Sequence, residues 1–330
     1  YANAEQVARW APQLVRGEES FLGVLPFFHV FAMTVVMNFA IRTASTMIIL
    51  PRFELAALMQ LINTTKPTVM PAVPTLFNAI MNFPKVKNHY LRSLKFCISG
   101  GAPLPLAVKR GFEDATGCVV VEGYGLTEAS PVVTCNATAG PMREGSIGMP
   151  LPQTEVSLRD LDDPARPVPQ GEKGEVCVRG PQVMLGYWQR PEETKAVFTP
   201  DGFLRTGDVA RMERDGLFSI EDRIKDLIIC SGYNVYPRQI EEAIYTHPAV
   251  AEVTVIGIGD AYRGEAPKAF IKLKDGGSAS AEDILAHLES RLSKIELPTE
   301  IEFRDELPKT MIGKLSKKEL RDLENGSAQN

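Results

Sequence analysis

Within Glu122-Gly-Tyr-Gly-Leu-Thr-Glu128, Gly123 and Gly125 flank an aromatic ring, and a hydroxyl and a carboxylate follow at Thr127 and Glu128. Glycine lets a backbone approach a ligand closely. Tyr124 offers a flat face to a base, and Thr127 and Glu128 offer oxygens to a phosphate or a hard cation. Alone, the segment reads equally well as a solvated loop. Further along stand Asp201-Gly-Phe-Leu-Arg-Thr-Gly-Asp208, Asp222-Arg-Ile-Lys-Asp226 and Pro308-Lys-Thr-Met-Ile-Gly-Lys314. Four such segments in this order make a specific signal.

The elements that must position these residues are α/β in pattern. Apolar residues at helical spacing run from Phe53 to Ile62, and Thr68 to Met70 is a short buried strand. Pro74 opens a helix through Met81. Leu94 to Ile98 is a strand, Pro103 to Thr116 a helix and Cys118 to Val121 a strand. Such alternation favours a parallel sheet. Gly100-Gly101 and Gly123-Tyr124-Gly125 each follow a strand, and open α/β sheets bind ligands at those carboxyl ends. From Gly145 to Gly216 proline and glycine become frequent, with short strands at Thr154–Leu158 and Gly174–Val178. Beyond Asp222 the pattern is strand (Leu227–Cys230), proline-initiated helix (Pro237–Thr246), strands (Ala251–Ile258, Lys268–Leu273) and helix (Ala281–Leu292). The expected organisation is residues 1–144 as the α/β part of a large N-terminal domain, 145–221 as its β-rich subdomain, and 222–330 as a small α+β domain.

Composition narrows the function classes. The 330 residues are 44% hydrophobic, enough for ordinary cores, and the formal charge of −5 gives no reason to expect a nucleic-acid partner. Cys97, Cys118, Cys135, Cys177 and Cys230 are scattered singly, which points to reduced thiols in the cytoplasm rather than a zinc site or a disulfide framework. Pro26, His29, Thr34 and Asn38 interrupt the apolar run from Phe21 to Ala40, so it reads as protein interior and no transmembrane segment is expected. No secretory signal is expected. The chain opens on Tyr1 in what already looks like mid-domain sequence, so it is expected to be part of something longer. The tail after Asn325 is expected to be disordered.

The chain resembles the C-terminal part of the adenylate-forming superfamily of acyl-CoA synthetases, luciferases and peptide-synthetase adenylation domains. It is most similar to bacterial long-chain fatty acid-CoA ligases. The resemblance rests on Pro26-Phe-Phe-His29, Ser99-Gly-Gly-Ala-Pro-Leu104, Tyr124 to Glu128, Gly174 to Gly180, Phe203 to Asp208, Ser231-Gly-Tyr-Asn-Val-Tyr-Pro237 and the Lys314 motif. It implies a large mixed-sheet domain followed by a small mobile one. It implies a two-step reaction, in which a fatty acid and ATP give acyl-AMP and the thiol of coenzyme A then displaces AMP. By that resemblance Gly101, Ala102 and Pro103 border the adenine, with Tyr124 stacked on it between Gly123 and Gly125. Thr127 meets phosphate, Glu128 holds Mg²⁺, Asp208 takes the ribose hydroxyls, and Arg223 reaches the ribose or phosphate. Lys314 drives the first step, bridging the carboxylate and the α-phosphate. Lys225 is the hinge between the two half-reactions, Gly232 approaches the pantetheine arm, and His29 lies beside the acyl carboxylate. Local alternatives are a surface ion pair for Arg223, a hairpin turn for Gly232, a satisfied core residue for His29 and a solvated basic cluster for Lys309, Lys314, Lys317 and Lys318.

Two departures stand out. Relatives carry a Ser/Thr/Gly-rich phosphate loop of the type S-G-T-T-G-x-P-K-G, and none of these 330 residues forms one. The chain alone is therefore expected to be a poor catalyst. Ile295-Glu-Leu-Pro298 also stands where relatives place Tyr-Lys before proline. An aryl-CoA or fatty acyl-AMP ligase, or a non-catalytic nucleotide- or acyl-binding module, remains an alternative. Acyl length, oligomeric state and peripheral membrane contact stay open.

Overall fold

The structure, a computed structural model, describes residues 1–86, 89, 91–138 and 142–327. The chain divides into two compact units, Tyr1–Ile220 and Glu221–Asn330.

The first unit is built on a seven-stranded sheet. Its strands are β1 (Ser20–Gly23), β2 (Thr46–Ile49), β3 (Val69–Ala72), β4 (Phe96–Ser99), β5 (Val120–Gly125), β6 (Val132–Cys135) and β7 (Met149–Pro150), in the order β2-β1-β3-β4-β5-β6-β7. The first five are parallel, and β6 and β7 are antiparallel. Parallel neighbours need crossovers, here the helices Leu55–Thr65, Pro74–Met81 and Leu106–Thr116. The β3 and β4 strands are buried throughout, as strands covered on both faces must be. Phe77 and Phe112 lock two of the helices together edge to face, ring centroids 5.0 Å apart.

Two expectations need correction here. The helix expected from Pro103 begins at Leu106, because Pro105 disfavours helical backbone at Leu104. The stretch from Phe21 to Ala40 is not uniformly interior. Phe21, Phe31, Val36 and Phe39 are buried, but the chain turns outward at Phe28, which is 66% exposed. Among the described residues no helix is long and apolar enough to cross a membrane.

A second sheet has the order β11-β10-β9-β8, with strands β8 (Glu155–Arg159), β9 (Lys173–Arg179), β10 (Leu204–Met212) and β11 (Phe218–Arg223). Its core residues Leu158, Val176, Val178, Ala210 and Phe218 pack with Ala129, Val133 and Ile147, and Tyr124 and Leu126 lie against that cluster. The candidate loop is thereby fixed to both sheets of the unit.

The second unit has strands β12 (Ile228–Cys230), β13 (Tyr233–Val235), β14 (Val250–Asp260), β15 (Gly264–Leu273) and β16 (Glu300–Phe303), in the order β13-β12-β15-β14 with β16 parallel to β15. Helices Pro237–Tyr245 and Ala281–Glu289 bury Ile240, Ile244, Ile284 and Leu288 against the sheet. Ser280 and Asp283 start the latter helix with a reciprocal capping box. Helix Lys317–Ser327 buries Leu320 with Ile256, Phe270 and Leu307. Lys268 on β15 is held by Glu300, Glu302 and Glu324 at 3.2, 3.1 and 2.9 Å. The disordered tail expected after Asn325 is corrected to this extent: the last helix continues through Ser327, and residues 328–330 lie outside the described ones.

Candidate active site

In the parallel register Ser99 on β4 stands opposite Glu122 on β5. The segments that leave these strands, Gly100 to Pro103 and Gly123 to Gly125, therefore emerge side by side at the carboxyl edge of the sheet. The Phe31 ring packs onto the first of them: a Cβ on Gly100 would stand 3.1 Å from it. This brings the Pro26–His29 segment to the same edge. His29 is half-buried and caps the short helix that begins at Val30, its Nδ1 accepting from the Phe31 amide at 3.3 Å.

Asp208 reaches this edge from the second sheet. The pairing of β10 with β9 is irregular between Arg205 and Val209, and such an irregularity re-aims a side chain. Glu175, buried and paired with Arg205 at 2.8 Å, accepts the Gly207 amide at 3.0 Å. Thr206 accepts the Asp208 amide at 3.1 Å. The Asp208 carboxylate, nine-tenths buried, accepts the Tyr124 hydroxyl at 2.7 Å across 84 positions of sequence. Tyr124 and Asp208 are thus one unit, with the phenol ring fixed by its own hydroxyl.

Beyond Tyr124 the chain enters a short 3-10 turn, Thr127–Ala129, with Thr127 exposed and Glu128 half-buried. Glu128 Oε1 accepts the Tyr187 hydroxyl at 2.9 Å, and its backbone oxygen accepts the Met184 amide at 2.7 Å. Burial, together with the hydrogen bond to Glu128 and its charge, pushes the Tyr187 phenol pKa above its usual value. Gly125 is needed for the protein's own backbone, because a Cβ there would stand 2.0 Å from the Pro131 carbonyl oxygen. At Gly123 the nearest atom, Cys135 Sγ, would be an ordinary 3.6 Å away.

Beneath the loop lies a buried polar layer. Lys109 and Glu122, each under 5% exposed, form an ion pair at 3.5 Å. The Glu122 carbonyl accepts the Asn136 amide at 2.9 Å, and the Asn136 carbonyl accepts the Trp10 indole N–H at 3.0 Å. Burial and then the Glu122 charge raise the Cys135 thiol to about 12. The buried hydroxyls of Ser99 and Thr134 have no hydrogen-bond partner among the described residues.

A family model described as AMP-binding enzyme matches residues 1–188, and one described as AMP-binding enzyme C-terminal domain matches residues 239–314. The chain belongs to the AMP-binding enzyme family. Among its relatives in that family, a long-chain-fatty-acid–CoA ligase of Bacillus subtilis is 46% identical over 98% of this chain and 57% of its own length. The chain therefore spans little more than half of that curated relative. Among solved structures, ATP-bound MatB from Rhodopseudomonas palustris superposes with a TM-score of 0.90 at 31% identity, over 98% of this chain and 63% of that one. The anthranilate CoA ligase AuaEII in complex with anthranoyl-AMP gives 0.91 at 29% identity, over 100% and 64%.

Four of the residues expected in an AMP-binding enzyme site belong to the second unit. Arg223 and Lys225 are exposed. The buried Asp222, near the end of β11, accepts the amides of Arg223 and Arg238, each at 2.8 Å. Lys225 sits in the turn Ile224–Asp226, and Asp226 pairs with Arg321 at 2.7 Å. Gly232 is the second residue of a two-residue hairpin, Cys230 facing Tyr233, with Ser231 at φ 53° and Gly232 at φ 81°. The turn needs this conformation, and no atom lies within 4 Å of where a Cβ would be. The hairpin alternative therefore describes Gly232 well. Lys314 is half-buried in a tight turn: its amide donates to Thr310 Oγ1 at 3.2 Å, and its carbonyl accepts the Thr310 amide at 2.8 Å. The solvated-cluster alternative fails for two of the neighbouring lysines, since Lys309 is paired with Glu252 at 2.8 Å and Lys317 with Glu241 at 2.9 Å.

Sequence reasoning missed Tyr187, Glu175 and Phe31. Glycine flanking and a helix-starting Pro191 mark out Tyr187, but its contact spans 59 residues, and no local pattern carries that.

Proposed function

We propose that the chain carries out the chemistry of an AMP-forming long-chain fatty acid-CoA ligase, as part of a protein of the length of its relatives. A carboxylate attacks the α-phosphorus of ATP to give acyl-AMP and pyrophosphate. The CoA thiolate then displaces AMP, which leaves readily where a carboxylate oxygen would not. The observation that carries the adenylation reading is the Tyr124–Asp208 hydrogen bond at 2.7 Å. It presents an aromatic face and a carboxyl acceptor together at a strand-end crevice, as a nucleoside requires.

In this reading the Tyr124 ring stacks on adenine, beside Gly101, Ala102 and Pro103. Asp208, which accepts at several lone pairs when ionised, takes the ribose hydroxyls as well as Tyr124. Thr127, exposed at the start of its turn, meets phosphate. Glu128 fits Mg²⁺, which keeps most of its waters and needs only one or two carboxylates beside substrate phosphates. Tyr187 engages only Oε1, and the Glu128 carboxylate would hold the cation. When bound, Mg²⁺ neutralises phosphate charge. Lys314 supplies a compact positive charge to the acyl carboxylate and α-phosphate, with Arg223 toward the ribose, Lys225 as the hinge and Gly232 toward pantetheine. His29 faces the acyl carboxylate.

Aryl acids are the second reading, because a feruloyl-CoA synthase of Amycolatopsis is 38% identical over 92% of the chain. The 46% identity of the Bacillus subtilis long-chain-fatty-acid–CoA ligase favours an aliphatic acid. Binding of stable acyl-adenylate analogues by calorimetry tests both. A long aliphatic analogue is expected to bind more tightly than a feruloyl one. Asp208→Asn and Tyr124→Ala should each weaken binding about tenfold, near the value of one charged hydrogen bond. Failure of the unaltered chain to bind any adenylate refutes the proposal. Pyrophosphate release by the 330-residue chain should fall far below that of the Bacillus subtilis relative, and equal rates refute the requirement for a Ser/Thr/Gly-rich loop.

A further inference from the structure

We propose that Tyr187 is a positioning residue for Glu128, holding its carboxylate in the orientation that a phosphate-bound divalent cation requires. This rests on the reading of Glu128 as the cation's carboxylate. Glu128 is gripped twice by one short loop. The Tyr187 hydroxyl donates to Oε1 at 2.9 Å, and the Met184 amide donates to the backbone oxygen at 2.7 Å. Without the first contact the side chain would be free to rotate about its torsions, and ordering it on cation binding would cost rotamer entropy.

Tyr187 is itself held in place. Its amide donates to Thr194 Oγ1 at 2.9 Å, and the same hydroxyl donates to the Arg190 carbonyl at 2.8 Å. Thr194 belongs to the helix Pro191–Val197, whose first residue is the proline that best starts one. The phenol therefore projects from a fixed base.

The chemistry favours orientation over proton transfer. The Tyr187 hydroxyl donates a hydrogen bond to a carboxylate oxygen that can only accept. A donor that engages one carboxylate oxygen fixes the direction of the other. Outer partners of this kind commonly change metal affinity tenfold or more.

Tyr187→Phe keeps the ring and removes only the donor. Mn²⁺, standing in for Mg²⁺, is titrated into the full chain at saturating ATP and followed by its electron paramagnetic resonance signal. ATP binding without metal is measured by calorimetry in chelator. The expected result is about tenfold weaker Mn²⁺ binding by Tyr187→Phe, with metal-free ATP affinity and melting temperature unchanged. Glu128→Gln should weaken Mn²⁺ binding at least as much. Wild-type Mn²⁺ affinity in Tyr187→Phe beside a loss in Glu128→Gln overturns the role of Tyr187 while leaving that of Glu128 intact. Wild-type affinity in Glu128→Gln overturns both, as does an unaltered chain that holds no Mn²⁺. An equal loss of metal-free ATP binding in Tyr187→Phe makes the residue merely structural and also overturns the proposal.

Discussion

Replacing Lys109 with methionine removes the cation from a buried ion pair while keeping most of the side chain's volume. Lys109 lies on the helix Leu106–Thr116 and Glu122 at the base of the candidate loop, 3.5 Å apart, with side-chain exposures of 4% and 6%. At that separation an effective dielectric of about 20 gives an attraction of roughly 5 kcal/mol. Desolvation of the two groups offsets much of it. Removing one partner forfeits the attraction and leaves the other's desolvation in place, a loss of about 3–5 kcal/mol. Replacing both Lys109 and Glu122 with methionine leaves no buried charge and should recover at least about half of that. Both tryptophans, Trp10 and Trp188, lie in the first unit. Trp10 is joined to this layer through Asn136, whereas Trp188 is 87% exposed. Tryptophan emission during urea unfolding therefore reads the first unit at the relevant place. A loss below about 1 kcal/mol for Lys109→Met, or strict additivity in the double variant, refutes the reasoning.

The five cysteines are all free and buried, and burial pushes the thiols of Cys135 and Cys177 up to about 12. All five should resist a disulfide reagent in the native state and react only on unfolding, and prompt release of even one equivalent at neutral pH contradicts this. His287 titrates below its usual 6.5, first through burial and then through the charges of Arg291 and His247. Its stabilising contribution is therefore full above pH 6.5 and is lost as pH falls through the lowered folded pKa. Hydrogen exchange in the helix Ala281–Glu289 should accelerate between pH 7 and 5 once corrected for the intrinsic rate. A wild-type profile in His287→Gln refutes that assignment.

Much of the first sheet was legible because strands buried on both faces leave continuous apolar runs, as at Phe96–Ser99, and because Pro74 and Pro237 announce helix starts. The edge strand Thr46–Ile49 and strand Glu300–Phe303 were not legible as strands, being four residues each and only partly buried. The helix Lys317–Ser327 was hidden by its polarity, since only Leu320 of its first turns is fully buried. At the site, the residue types around Tyr124 and Asp208 were readable but their contact was not. It depends on a β-irregularity at Gly207 that has no signature beyond the glycine itself. Gly125 carries a demand that its neighbours in sequence do not announce, since a Cβ there would meet the Pro131 backbone.

The grip of Glu300, Glu302 and Glu324 on Lys268 bears on the order in which the second unit assembles during synthesis. The hairpin of β14 and β15 is local and can form as soon as it leaves the ribosome, yet it carries a lysine whose carboxylates are still untranslated. Until β16 emerges with Glu300 and Glu302, that amine must remain hydrated, which holds the outer edge of β15 open to water rather than to other chains. Pairing of β16 with β15 then closes the edge, and Glu324 on the last helix completes the grip on the amine. A nascent chain halted before Glu300 would keep a solvated cation where the finished protein has a shielded one, and the lysine acts as a gatekeeper while the sheet waits for its final elements.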